Sequence, residues 1–549
     1  MMDLSIPTQV DTDVLVIGGG GAGLRAAVAA VRHGAKVVLL SQSQAGYGNN
    51  TAIAAGKMCV VIKPEDSPES YFKDTISAGR FINDQRLVQF LAEGSAHQVS
   101  ELQELGIAFS KKDGELAVSS VPGHSYPRCV ATVKKGLGFT LPLRAVAIAS
   151  GIELVEGILI TRLIGEERVQ GAIGIDGKGN VFVINAKAVV LASGGLGQLY
   201  SRTSTAKGTT GDGYALAYDA GVSLQDMEMV QFYPTGTAAG AISQVILYEF
   251  IVGKVGGTIR NSLGADILEK YGLRDTARMT RDKLAQAMMT ELIEGRDIQG
   301  ALALDLSAVP EKAMSRVRAL LPTRVAADAQ ATPLVTPVAH FQMGGIKIDE
   351  GCSTSLPGLF AAGEVCGGVH GANRLGGNSL AEIFVFGKKA GLAAAAKASK
   401  TPRARIDPKQ IKPELHRIRS LLSQDGKYLL DDLLLQIKRT MWLKAGIIRS
   451  DGGLREALVD LQQIRYRLGE ARITGPRTLI SAIKLTNMVT VAEMVIRSAL
   501  LRTESRGAHY RNDYDEENNA PWLSNIVLSK KDDTMVLESR PVELSRLRP

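Results

Sequence analysis

The run Val14-Leu15-Val16-Ile17 followed by Gly18-Gly19-Gly20-Gly21-Ala22-Gly23 constrains the fold more than any other stretch of this chain. The four apolar residues read as a buried parallel strand. Leu24 to Gly34 is alanine-rich and reads as a helix ending at a glycine, and Lys36-Val37-Val38-Leu39-Leu40 reads as the next strand. Glycines 18, 20 and 23 have the spacing of a βαβ dinucleotide fingerprint. The first makes the turn, the second lets a pyrophosphate approach, and the third lets helix pack on strand. The pattern is weak alone and strong between a strand and a helix. Gly21 and Ala22 belong to the same loop. Ser41 stands where an acid usually ends the second strand, and its hydroxyl is a weaker partner for a ribose hydroxyl.

Two later segments read as strands that return to the same sheet after long insertions. Ala188 to Ala192 ends in Ser193-Gly194-Gly195, and Leu359 to Ala362 ends in Gly363-Glu364. Just beyond comes His370-Gly371-Ala372-Asn373-Arg374-Leu375-Gly376-Gly377-Asn378-Ser379-Leu380. An arginine set among small residues can grip a carboxylate through two charge-assisted hydrogen bonds. The fold expected is α/β, a Rossmann-like dinucleotide domain over 1–230 and 341–400 with an inserted α+β capping domain over 231–340. A helical C-terminal domain over 401–549 follows, entered through a linker marked by Pro402, Pro408 and Pro413 and closing in an irregular tail beyond Arg502.

With 549 residues and 45% hydrophobic content, the chain can bury several cores. The net charge of +8 carries no basic run dense enough for a nucleic-acid stripe; it reads first as a scattered solvated surface, and an acidic substrate or partner is the second reading. The four cysteines, Cys59, Cys129, Cys352 and Cys366, have no ligand-like spacing, so no metal or iron–sulfur cluster is expected within the chain, and reduced thiols in a cytoplasmic protein are. No secretory signal and no apolar run near the ~20 residues of a membrane span is read, so a membrane would be reached only through partners.

Taken together these motifs resemble the flavoprotein subunit family of succinate dehydrogenase and fumarate reductase, to which L-aspartate oxidase is a near relative. The resemblance rests also on Thr210-Gly211-Asp212-Gly213, Met227 to Phe232, Met343-Gly344-Gly345 and Arg502 to His509. It implies FAD held by Gly18, Gly20, Gly21, Ala22, Gly23, Ser41, Asn50, Thr51, Gly56, Ala192, Gly194, Asp212, Glu364, Arg374, Ser379 and Leu380, with Glu364 serving the ribityl hydroxyls. It implies hydride exchange between flavin N5 and a carbon–carbon bond beside a carboxylate, and an iron–sulfur protein as electron partner. Arg281 matches the family's proton donor and Glu249 its relay glutamate, with Lys254 the nearest candidate for the second relay cation. His340 and Arg374 match one carboxylate grip.

Departures from the family pattern narrow the chemistry. Tyr233 and Tyr248 replace a histidine and a threonine at the opposite grip, which disfavours a second carboxylate by about 1–3 kcal/mol. An acid with one carboxylate and an uncharged far end fits better, while two tyrosine hydroxyls keep fumarate open. Oxidation of L-aspartate and an electron-transfer subunit without dicarboxylate turnover are the alternatives. Asn49-Asn50-Thr51 replaces the Ser-His-Thr whose histidine bonds covalently to FAD, so dissociable FAD is expected. Acid denaturation should therefore release all flavin fluorescence from the polypeptide; fluorescence that stays with the chain on a denaturing gel would refute this role for Asn50.

Overall fold

The computed structural model describes residues 7–238, 246–247, 250–253, 255–275, 279–319, 321, 332–402, 405–422 and 426–549. Its centre is a seven-stranded sheet. Thr8–Ile17 lies parallel to Val37–Ser41 on one side and to Val181–Leu191 on the other, and Leu359–Ala361 adds parallel to Val181–Leu191. The two sequence-distant strands do return to one sheet. Ile17, Leu191 and Ala361 stand abreast, so three strands end at one level.

Burial explains why these strands form. Val14, Leu15 and Val16 are fully buried, and every residue of Val37–Ser41 is buried. One face of these strands is covered by the helices Gly21–Arg32 and Asn378–Lys400, which pack on each other. Gly391 makes that approach possible, since a Cβ there would fall 2.2 Å from Ala26 O.

A second, four-stranded antiparallel sheet joins Val230–Thr237, Leu334–Gln342, Leu302–Asp305 and Thr258–Arg260. The helix Arg281–Ile293 packs on it, and a core separate from the central one forms around Ile259, Leu284, Met288, Leu302 and Val335. Val230 pairs with Gln342, so this lid-like unit leaves and rejoins the main body at one place.

Three readings of the C-terminal third need correction. Pro408 and Pro413 do not mark a linker: Pro408 opens the helix Pro408–Leu422 and Pro413 lies within it. A proline is tolerated in the first turn, where its missing N–H has no intrahelical partner, and further in costs one backbone bond. The tail is not irregular either. Ser524–Lys531 and Thr534–Pro541 form a hairpin that joins Leu224–Gln225 and Gly345–Ile346 in a sheet. Its two-residue turn, Asp532-Asp533, has φ of 46° and 57°, the positive values a hairpin turn of this length needs. Finally, Pro476–Leu501 is 26 residues long and its most apolar stretch has mean hydropathy 1.6, apolar enough to cross a membrane by length and composition. Here its apolar surface is spent on packing, with 61% of its most apolar stretch buried against neighbouring helices.

The segment after that helix is tied back to the centre by charge. Arg502, fully buried, reaches Glu228 at 2.7 Å, Glu504 at 3.1 Å and Asp226 at 3.4 Å. Arg506 then pairs with Glu504 at 2.7 Å and donates to Arg80 O at 2.9 Å.

Candidate active site

The fingerprint loop has the geometry its spacing implies. Gly18 has φ +123°, and a Cβ there would fall 2.1 Å from Ala192 O. At Gly23 a Cβ would fall 1.9 Å from Gly18 O. Only glycine fits either place. At Gly20, which precedes the helix Gly21–Arg32, the nearest atom to a Cβ would be Asn49 Oδ1 at 3.8 Å. The amide-lined mouth of a twelve-residue helix is therefore open, and helix N-termini favour anions. This cradle fits the pyrophosphate of FAD.

Other residues assigned to the cofactor gather around the same mouth. Gly21 N donates to Thr51 Oγ1 at 3.2 Å, and Ser41 Oγ lies 2.7 Å from where a Gly19 Cβ would be. Ala22 meets Gly363, whose added Cβ would lie 2.9 Å from the Ala22 Cβ. Gly194 has φ +78°, and Gly56, with φ +75°, lies against the Lys135 backbone. Asp212, at the start of its helix, accepts from Gln42 at 3.0 Å, Thr210 at 2.7 Å and Asn487 at 2.9 Å. Asn50 reaches across to the end of another strand: its Nδ2 donates to Glu364 Oε2 at 2.9 Å, and its Oδ1 accepts from Ala206 N at 2.9 Å. Glu364 Oε1 accepts from Gln342 N at 3.1 Å, and burial pushes the Glu364 carboxyl up to about 7.

The arginine of the glycine-rich loop is held from several sides. Arg374 is 5% exposed. Its Nη2 donates to Gln231 Oε1 at 2.9 Å, its Nη1 to Ser379 Oγ at 3.3 Å, and its guanidinium lies 4.5 Å from the Phe341 ring centre. Leu380, one residue on, is buried in the first turn of the long helix. Gln231 in turn donates to Asn373 Oδ1 at 2.8 Å and to Arg374 O at 2.9 Å.

Arg281 opens the lid helix. Its guanidinium lies 4.8 Å from the Tyr233 ring centre, and it also borders Gly376, whose added Cβ would lie 3.2 Å from an Arg281 Nη. The next residue, Asp282, accepts from Asn373 Nδ2 at 3.1 Å. One hydrogen bond therefore clasps the residue beside Arg281 to the residue beside Arg374. His340 stands with them, 5.2 Å between its ring centre and that of Tyr233, with Nδ1 2.8 Å from Ser204 Oγ. Burial first, then the Arg374 and Arg281 charges, hold His340 well below its ordinary range. Whichever nitrogen carries the proton, the ring is a neutral hydrogen-bonding group, and the cationic charge of the site is guanidinium.

The structure thus brings Arg281, Tyr233, His340 and Arg374 together. Tyr248, Glu249 and Lys254 lie outside the described residues. Ser204 does not stand out in the sequence, Gln231 and Asn373 do so only as parts of motifs, and Asp282 only as the second residue of the Arg281-Asp282 pair. Asn373 and Asp282 adjoin the two arginines, a positional hint; Ser204 gives no signal, because its partner is 136 positions away.

Comparison with known proteins agrees with this geometry. Residues 13–380 match the family described as FAD binding domain, and residues 435–549 match the one described as fumarate reductase flavoprotein C-term. The chain is 38% identical over 530 residues to an uncharacterized FAD-dependent oxidoreductase of Methanocaldococcus jannaschii, covering 95% of this chain and 96% of that one. It is 36% identical over 537 residues to one subunit of the fumarate reductase (CoM/CoB) of Methanothermobacter marburgensis, covering 95% and 97%. Its fold is similar to a variant of FrdA from E. coli quinol fumarate reductase, with a TM-score of 0.90 at 30% identity over 99% and 98% of the two chains.

The raised Glu364 carboxyl has a measurable consequence. Below pH 4.5 it is protonated folded or unfolded. Between 4.5 and about 7 only the unfolded chain loses the proton, so stability falls as pH rises through that window. Urea unfolding of the apoprotein should show wild type losing up to roughly 3 kcal/mol more than Glu364→Gln from pH 4.5 to 7. Parallel pH profiles would remove the buried carboxyl from the account.

Proposed function

We propose a function from one premise: the chain belongs to the FAD-dependent flavoprotein family of the fumarate reductases and succinate dehydrogenases. It is an FAD-dependent oxidoreductase. Within that class it acts on a carbon–carbon bond beside a carboxylate, as the flavoprotein subunit of an electron-transfer complex. Its substrate has one carboxylate and an uncharged far end. The observation that carries this reading is the clasp from Asn373 to Asp282, which holds Arg281 and Arg374 in one site with His340 and Tyr233.

Each residue then has a task. Arg374, its orientation set by Gln231 and Ser379, binds the carboxylate with a permanent charge. His340, neutral, adds one hydrogen bond and no charge. FAD, when bound, would supply the hydride chemistry at the carbon–carbon bond beside that carboxylate. Arg281 delivers the proton to the neighbouring carbon. Guanidinium is a poor acid in water. Its place at the positive end of the helix Arg281–Ile293 favours giving up a proton. Glu249 and Lys254 resupply it. The Tyr233 ring, buried against Arg281 and His340, puts a neutral phenol where the family pattern has a histidine, which supports an uncharged far end. An iron–sulfur protein is the electron partner, and the chain works in the cytoplasm, reaching a membrane only through partner subunits; relatives named as subunits support this division of labour.

The deciding experiment is anaerobic reoxidation of the dye-reduced holoprotein by fumarate, acrylate, cinnamate and crotonyl thioesters. Reoxidation by a monocarboxylic enoate in preference to fumarate is expected. The bulk of Tyr233 favours a second reading, an electron-transfer subunit without turnover, and reoxidation by none of the panel would select it. Iminosuccinate from L-aspartate would select amino-acid oxidation. Arg281→Gln should lower enoate reduction by about 100-fold or more with FAD retained; unchanged turnover would remove Arg281 from proton transfer. Tyr233→His with Tyr248→Thr should raise fumarate use about tenfold or more, the equivalent of ~1.4 kcal/mol, and no gain would undercut the argument about the far end.

A further inference from the structure

Two cysteines far apart in sequence meet directly behind the arginine loop. Lys57–Cys59 pairs antiparallel with Cys129–Ala131, and Cys59 stands opposite Cys129. The two do not hydrogen-bond to each other through the backbone. Cys59 N donates to Gly377 O at 3.2 Å, while Cys129 exchanges both its backbone bonds with Ser119, at 2.8 and 3.1 Å. This is the close, non-hydrogen-bonded kind of cross-strand pair, with Cα atoms about 4.5 Å apart in general, inside the range that a disulfide spans. The sulfurs are 2.7 Å apart, and neither residue is more than 1% exposed.

The surroundings suit sulfur chemistry more than passive packing. His124 Nε2 lies 3.0 Å from Gly376 O and 3.5 Å from Cys59 Sγ. A carbonyl can only accept, so Nε2 carries the hydrogen and faces the sulfur with a donor. Cys59 Sγ also donates to Gly376 O at 3.3 Å. The roof over the pair is Gly377, where a Cβ would fall 2.4 Å from Cys59 Sγ and 2.7 Å from Cys129 Sγ. Burial and the neighbouring thiol hold Cys59 well above its ordinary range, and the charges of Arg128 and Arg374 oppose this. Both thiols are free here.

We propose that Cys59 and Cys129 form a reversible disulfide, a modification site beneath the Gly376–Gly377 turn that carries Arg374. The oxidant is a small peroxide, able to reach thiols that larger disulfides cannot. The Cys59 sulfur gives up its proton against the pull of burial, aided by His124 Nε2–H and the Arg128 and Arg374 charges, and attacks one oxygen of hydrogen peroxide, and hydroxide leaves to give a sulfenic acid. The Cys129 thiolate then attacks Cys59 Sγ and expels the second oxygen as water. In sum two thiols and one peroxide yield one disulfide and two waters. A small dithiol reverses the step and is itself oxidised to its disulfide.

The test counts thiols in the intact FAD-bound protein, treated with hydrogen peroxide or with dithiothreitol and then alkylated in denaturant. Four alkylated cysteines are expected after dithiothreitol and two after peroxide. Peptide mapping should find Cys59 linked to Cys129, with Cys352 and Cys366 alkylated in both samples. Return to four after a second dithiothreitol treatment is also expected. Four thiols after peroxide, a link involving Cys352 or Cys366, or sulfinic acid at Cys59 without a link would overturn the proposal. Cys129→Ser should leave Cys59 as a sulfenic acid that a dimedone-type probe captures; no capture in a folded, FAD-bound variant would also overturn it.

Discussion

Ile17, Leu191 and Ala361 lie abreast in three parallel strands, and the distances at the site descend from that register. Because the strands end at one level, the loops that follow them are forced against one another. Gly18 presses on Ala192 and Gly363 on Ala22, both closer than a side chain would allow without shifting neighbours. The carboxylate of Glu364 and the amide of Asn50 then meet across a sequence separation of 314 residues. A slip of one residue in the pairing would reverse which side chains face the helices, so the buried pattern and the ligand site stand or fall together.

Charge and one aromatic ring set the character of the site. Arg281 and Arg374 supply permanent positive charge, and burial together with their field holds His340 well below its ordinary range. Tyr233 lies against both Arg281 and His340 as an aromatic wall. Arg374 has its donors oriented before any ligand arrives, so little reorganisation is needed when an anion binds.

Much of this was legible in the residues. The glycine spacing located the cradle, the apolar runs at Val14 and Ala188 located the strands, and Arg374 stood out among small neighbours. What failed to show depended on partners distant in the chain. Gln231, Ser204 and Asn373 are ordinary polar residues until folding brings Arg374, His340 and Asp282 to them. The final hairpin escaped notice because two aspartates, not a glycine, make its turn, and its strands owe their place to a sheet begun by Leu224–Gln225. Pro413 suggested a break where the helix merely gives up a bond.

The helix Arg281–Ile293 gives Ala285 and Met289 to the central core and Leu284 and Met288 to the second one, and the hydrogen bond from Asn373 to Asp282 ties its first turn to the arginine loop. Breaking that bond would free Arg281 to move away from Arg374. On the function proposed above, anion binding would need only Arg374 and its loop, while turnover would also need the Asn373–Asp282 bond to stay closed.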